Sequence, residues 1–128
     1  MARRVLIAAC VAAAAAFAVG CGSSGIKLSE DDPDHAGAVL FAERCGSCHT
    51  FDAAGTQGSA TDVTDREIED GPSFDDRPES VEDVLFAIQN GGFSGAIMPA
   101  NIATGREARQ IAEFIAKYAG PQAPSPPG

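Results

Sequence analysis

Cys45-Gly46-Ser47-Cys48-His49 is the stretch on which the reading of this chain turns. Two thiols stand three positions apart, with an imidazole directly after the second. Upstream, Gly37, Leu40, Phe41 and Arg44 recur at helical spacing after Pro33, whose fixed φ suits a first helical position. The motif therefore closes a helix. A redox dithiol of the Cys-x-x-Cys type sits in a βαβ setting, and no βαβ pattern flanks this one. A structural zinc takes four ligands, whereas this domain offers Cys45, Cys48, His49 and only the distant His35.

C-x-x-C followed directly by His is the signature of c-type haem attachment. The chemistry needs each part. Thiols at this spacing reach the two vinyl groups of one porphyrin and form thioether bonds. The next residue, His49, then lies under the ring, where its imidazole binds iron from the proximal side. Covalent attachment retains the cofactor in a small exported domain, so one haem c per chain is expected.

The N-terminus supplies the export. Arg3 and Arg4 form a positive n-region, and Val5 to Val19 is an apolar run of 15 residues. That is short for a bilayer span of about 20 residues and right for a signal peptide over 1–20; an uncleaved anchor is the alternative. Ala18-Val19-Gly20-Cys21 resembles the lipobox of bacterial lipoproteins, with Ala18 in the usual Leu position. That resemblance implies cleavage before Cys21 and lipid on its thiol. A rival A-x-A site, Ala16-Phe17-Ala18, would leave Cys21 unpaired. With Cys10 removed in the signal, Cys21 lipidated, and Cys45 and Cys48 on haem, none of the 4 cysteines remains for a disulfide.

Cleavage before Cys21 takes 20 of 128 residues and two arginines, moving the formal charge from −9 to −11. So acidic a chain cannot assemble the basic face that nucleic acids require. An apolar content of 45% argues for a folded domain. Residues 21–32, opening Cys21-Gly22-Ser23-Ser24-Gly25, read as a flexible acidic tether, and 121–128 (PQAPSPPG) as a disordered Pro-rich tail. One domain, 33–120, lies between them.

Its helical signals are clear and its strand signals absent. Three capping patterns stand ahead of later segments: Thr64 to Glu67, a short helical turn; Ser80 to Asp83, before Val84, Leu85 and Ile88; and Thr104 to Glu107, before Ala108, Ile111, Ala112, Phe114, Ile115 and Tyr118. Gly120-Pro121 stops the last. An all-α domain of three to four helices in under 90 residues has a thin core, which a cofactor would help fill.

Taken together, these residues resemble the class I, mono-haem cytochromes c, and the resemblance covers nearly all of 33–120. Gly37-x-x-x-Phe41-x-x-x-Cys45 is similar to the family's N-terminal helix, and Ile111 and Phe114 fall where its C-terminal helix completes the helix crossing. The small Gly37 allows a close approach. Gly71-Pro72 resembles the family's Gly-Pro segment, which implies that the Pro72 carbonyl accepts a hydrogen bond from His49 and raises its donor strength. Pro72 lies 23 residues beyond His49, a longer excursion than in compact members.

The Gly91 to Ala100 stretch (GGFSGAIMPA) resembles the family's Gly-rich loop into Met-Pro, which implies Met98 as the sixth ligand. Pro99 favours an extended Met98 backbone. Met98 is also the one Met left after signal removal, in a loop and not on an apolar helix face. His35 precedes Cys45 by ten residues, about 15 Å along a helix, and cannot reach the far face of the ring. Leu85, Phe86, Ile88, Phe93, Ile97 and Ile102 are the expected pocket lining.

His/Met ligation closes the iron to substrates and suits one-electron transfer. No catalytic carboxylate pair, nucleophile–base set or phosphate loop stands elsewhere. Between Asp52 and Asp83, 11 acids face only Arg66 and Arg77. That is either a solvated face or a docking patch for a basic redox partner. The expected protein is an electron carrier, free or within an oxidoreductase complex, at the outer face of the cell membrane or in the periplasm. A haem enzyme or sensor with an open sixth site and a haem-free thiol–disulfide protein are the alternatives.

Overall fold

A computed structural model describes residues 25–62, 64–93 and 97–126. The expected signal at 1–20, Cys21 and the last two residues of the tail lie outside them.

Among the described residues, three helices carry the architecture: α1 (His35–Arg44), α2 (Val81–Asn90) and α3 (Gly105–Tyr118). Helix α3 packs against both of the others, and its strongly one-sided pattern explains why. Ala108, Ile111, Ala112, Phe114, Ile115 and Tyr118 are all buried, a stripe wide enough for two partners. The crossing with α1 is close because Gly37 lacks a side chain: a Cβ there would stand 2.8 Å from Phe114 Cβ and nearer still to the Gln110 carbonyl. Phe41, Phe51, Ile111 and Phe114 are fully buried at this crossing, with Phe41 and Phe114 ring centroids 6.2 Å apart.

Helix starts differ in their caps. At α2, Ser80 Oγ accepts from the Asp83 amide at 3.1 Å and donates to its carboxylate at 2.7 Å, as the capping pattern predicts. At α3, Thr104 makes no side-chain cap, and Glu107 instead pairs with Arg44 at 2.8 Å. Helix α1 begins at His35, two residues beyond Pro33, because the Asp32 carboxylate accepts from the Asp34 amide at 2.8 Å in a preceding turn.

The pattern at Thr64 to Glu67 opens no helix. Asp62 accepts from the Thr64 amide at 2.7 Å, and Asp70 takes the Glu67 amide at 2.5 Å. Side chains thus capture the donors that a helix would need. Ile68, 76% exposed, gives the segment no apolar face to bury.

Two short strands, β1 (Thr50–Phe51) and β2 (Thr56–Gln57), pair antiparallel around a 3-10 turn at Asp52–Ala54. Gly55, at φ 66°, closes that turn. Two residues per strand are too few to write an alternating pattern. The segment expected as a tether also meets the domain: Leu28 is buried in the core, and the Lys27 amide donates to the Ala53 carbonyl at 3.1 Å. An isolated Leu in an acidic stretch carries no periodicity by which to foresee this.

Candidate functional site

The Cys45–His49 segment folds as tight turns continuing α1. The Cys45 and Gly46 amides both donate to the Phe41 carbonyl, at 2.8 and 3.0 Å, and the Cys48 and His49 amides to Cys45, at 3.1 and 3.0 Å. The hairpin braces it from behind. Thr56 Oγ1 donates to the His49 carbonyl at 2.9 Å, and the Gly58 amide adds a bond at 3.3 Å. Gly58 must be glycine for this, since a Cβ would stand 2.5 Å from the Gly46 carbonyl oxygen.

His49 is held on three sides. Its Nδ1 lies 2.9 Å from the Pro72 carbonyl oxygen. A carbonyl only accepts, so Nδ1 carries the hydrogen and Nε2 keeps its lone pair. The Gly71 amide donates to the Cys48 carbonyl at 2.7 Å, and a Cβ on Gly71 would collide with the imidazole, 2.5 Å from Nδ1. The Phe74 ring lies beside it, centroids 5.0 Å apart. Burial pulls the His49 pKa below its ordinary 6.5; the Pro72 hydrogen bond opposes this and the Arg77 charge adds to it. The ring is therefore neutral at physiological pH. Burial also pushes the Cys45 thiol up to about 11, with a smaller pull downward from Arg44.

Met98 is half-buried against the core and shares two cavities with Cys45, His49, Pro72 and Phe93. The inner one, about 70 Å³, is apolar and closed at the back by Phe41, Phe74, Ile111 and Ile115. The outer cleft, about 460 Å³, adds Cys48, Ile97 and Ile102. Gly91, at φ 74°, ends α2 and lets the Met98 carbonyl return to 2.6 Å from where its Cβ would stand. The Asn101 amide then donates to the Ile88 carbonyl at 2.7 Å, fastening the loop to α2.

Four of the six expected lining residues, Ile88, Phe93, Ile97 and Ile102, do face these cavities. Leu85 and Phe86 do not. The cavity side of α2 is Val84, Ala87 and Ile88, spaced i, i+3, i+4, which turns the intervening pair away. Leu85 packs half-buried on the core, and Phe86 stacks on Phe93 with centroids 5.4 Å apart. His35 stands at the opposite end of α1 from Cys45. Sequence reasoning missed Phe74, whose only written signal is an aromatic two places after Pro72, and the Thr56–Gly58 brace, which has none.

Residues 32–115 match the family model of the cytochrome c oxidase, cbb3-type, subunit III. The chain belongs to this family. No curated protein and no solved structure matches it. The cytochrome c fold is thus this all-α arrangement of three helices, its cofactor is covalently bound haem c, and its work is electron transfer. The residues present fit that cofactor. Two thiols, an imidazole with its Nε2 lone pair free and a thioether all border the outer cleft. Among the described residues, no helix of this cytochrome is long and apolar enough to cross a membrane.

Proposed function

We propose that this chain is a mono-haem, class I cytochrome c that passes single electrons between redox proteins outside the cytoplasm. In this reading Cys45 and Cys48 hold haem c through thioethers, His49 Nε2 and Met98 Sδ ligate its iron, and the Pro72 carbonyl orients His49. The hydrogen bond of 2.9 Å between His49 Nδ1 and Pro72, at a cleft shared with Met98, is the observation that carries it.

The haem supplies a one-electron iron couple; the chain sets its conditions. Pro72 fixes the His49 tautomer and strengthens its donor nitrogen. The Met98 thioether favours the reduced state relative to stronger donors. Phe41, Phe74, Val84, Ile88, Ile111 and Ile115 keep water from the inner cavity, which disfavours the more charged oxidised state. At the mouth, Phe93 is 60% exposed and Ile97 is also exposed, an apolar rim for brief contact with a partner. The acids between Asp52 and Asp83 steer a basic partner toward it. Cleavage before Cys21 and lipid on its thiol would keep the carrier at the outer face of the membrane.

The optical spectrum of the purified protein, expressed through a periplasmic export route, tests this directly. It should show low-spin c-type bands with a weak long-wavelength sulfur-to-iron band, and a haem stain that survives denaturing electrophoresis. Ready carbon monoxide binding by the reduced protein would replace this reading with an open-site enzyme or sensor. The family description favours a second reading, the cytochrome subunit of an oxidase. Copurification with a membrane oxidase under mild detergent would favour it over a free carrier.

A further inference from the structure

Six charged side chains border the two cavities, and one of them is nearly covered. Glu79 lines the inner cavity beside His49, Phe74 and Val84, and its side chain is only 8% exposed. Its partner is Arg77, with which it forms an ion pair. Arg77 lines the outer cleft together with His49, Gly71 and Pro72, near enough that its charge opposes protonation of His49. The other charges around the two cavities differ in kind. Arg44 is engaged by Glu107 and by the Ile102 carbonyl, and Asp83 is exposed at the start of α2 and capped by Ser80. Glu69 and Asp70 belong to the loop at the mouth.

The Arg77-Pro78-Glu79 segment is also fixed in place. The Phe74 amide donates to Thr50 at 2.9 Å, while the Phe74 carbonyl accepts from the Gly120 amide at 2.8 Å. Gly120, at φ 95°, lies so close to Pro78 that a Cβ would stand 2.9 Å from its nitrogen. The pair is thereby tied both to the strand that follows His49 and to the end of α3.

A covered carboxylate needs a reason, because taking it out of water is costly, and here its partner Arg77 keeps half of its own side chain in solvent. Here the pair borders the site where one electron arrives and leaves. A cation nearby stabilises the state with the added electron, and an anion the state without it. Neither charge acts alone while the two are joined.

We propose that Glu79 holds the reduction potential of this cytochrome against the Arg77 charge: it positions the guanidinium beside His49 and offsets it, so that each charge acts on the potential only when its partner is lost. The step involved is the gain of one electron by the oxidised site, with no bond made or broken in the protein. This rests on the haem reading given above. A unit charge about 12 Å from the reacting centre, acting through an effective dielectric of about 20, is worth on the order of a tenfold change in such an equilibrium. For one electron, tenfold corresponds to about 59 mV.

The experiment is an equilibrium redox titration of the haem-loaded protein and four variants, with the optical spectrum recorded for each. Glu79→Gln keeps the volume and leaves Arg77 unopposed, so the reduced form should gain about tenfold at a fixed potential. Arg77→Gln leaves Glu79 unopposed and should favour the oxidised form by a similar factor. The double variant should return to within about twofold of the unmutated protein. Glu79→Asp keeps the charge and should shift less than Glu79→Gln, which separates charge from packing. Equal potentials in all five proteins, or shifts of one sign in both single variants, would overturn the proposal. An unmutated protein without covalent low-spin haem would overturn the haem reading as well. Flat potentials on intact spectra overturn only the role of this pair.

Discussion

The imidazole of His49 and the carbonyl of Pro72 meet at 2.9 Å across 23 residues of intervening chain. The glycine before Pro72 makes that meeting possible, because its missing Cβ is where the ring lies. Gly71→Ala should therefore push the imidazole off the carbonyl. Overpacking of this kind costs about 1–3 kcal/mol, to be seen as a lower urea midpoint of the haem-loaded protein, with a perturbed low-spin spectrum. A variant with both unchanged would mean that the loop yields without cost.

Met98→Ala should abolish the sulfur-to-iron band while the covalent haem stain persists. Met98→His should keep a low-spin spectrum and lower the potential, since imidazole is the stronger donor. Retention of the sulfur band in Met98→Ala would remove Met98 from the iron.

Gly37→Ala tests the helix crossing. Its new methyl would meet the backbone of Gln110 as well as Phe114, and backbone has little room to give. A loss of about 1–3 kcal/mol is expected, read as a lower denaturant midpoint at unchanged slope.

The pH dependence follows from the neutral state of His49. Burial lowers its pKa below 6.5, so the unliganded base form persists to more acid pH than in a free imidazole, and competition of protons with iron begins correspondingly later. In a spectrophotometric titration the low-spin bands should survive below pH 6.5. Arg77→Gln removes a charge that opposes protonation and should move the loss of those bands to higher pH. A midpoint at the ordinary histidine value would contradict this account.

Small redox reagents probe the field of the acidic segment. With 11 acids between Asp52 and Asp83, a cationic reagent should react faster than an anionic one of equal driving force. The difference should shrink as salt shortens the Debye length from about 10 Å at 0.1 M. Equal, salt-independent rates would leave those acids as a solvated face only.

The legible parts of this chain were those where chemistry demands adjacency. The run from Cys45 to His49 must be contiguous, Ser80 and Asp83 cap within one turn, and the stripe on α3 repeats every three or four residues. What stayed hidden was settled by distant partners. Thr64 to Glu67 has the letters of a helix start, but Asp62 and Asp70 intercept its amides. Leu28 is buried although its neighbours are polar. Phe86 looks like a pocket residue until the rotation of α2 selects Val84, Ala87 and Ile88 instead. Glu79 shows the limit most plainly, since nothing local distinguishes it from the other acids around it.

The bond from the Gly120 amide to Phe74 sets an order of events in biogenesis. Phe74 supports the His49 ring and fastens to Thr50, so this support depends on a residue 71 positions after His49. A chain emerging N-terminus first presents both thiols and the imidazole long before α3 arrives to close over α1 and α2. Cys45, Cys48 and His49 therefore precede in synthesis α2, α3 and Gly120, the parts of the chain on which closure of the site depends.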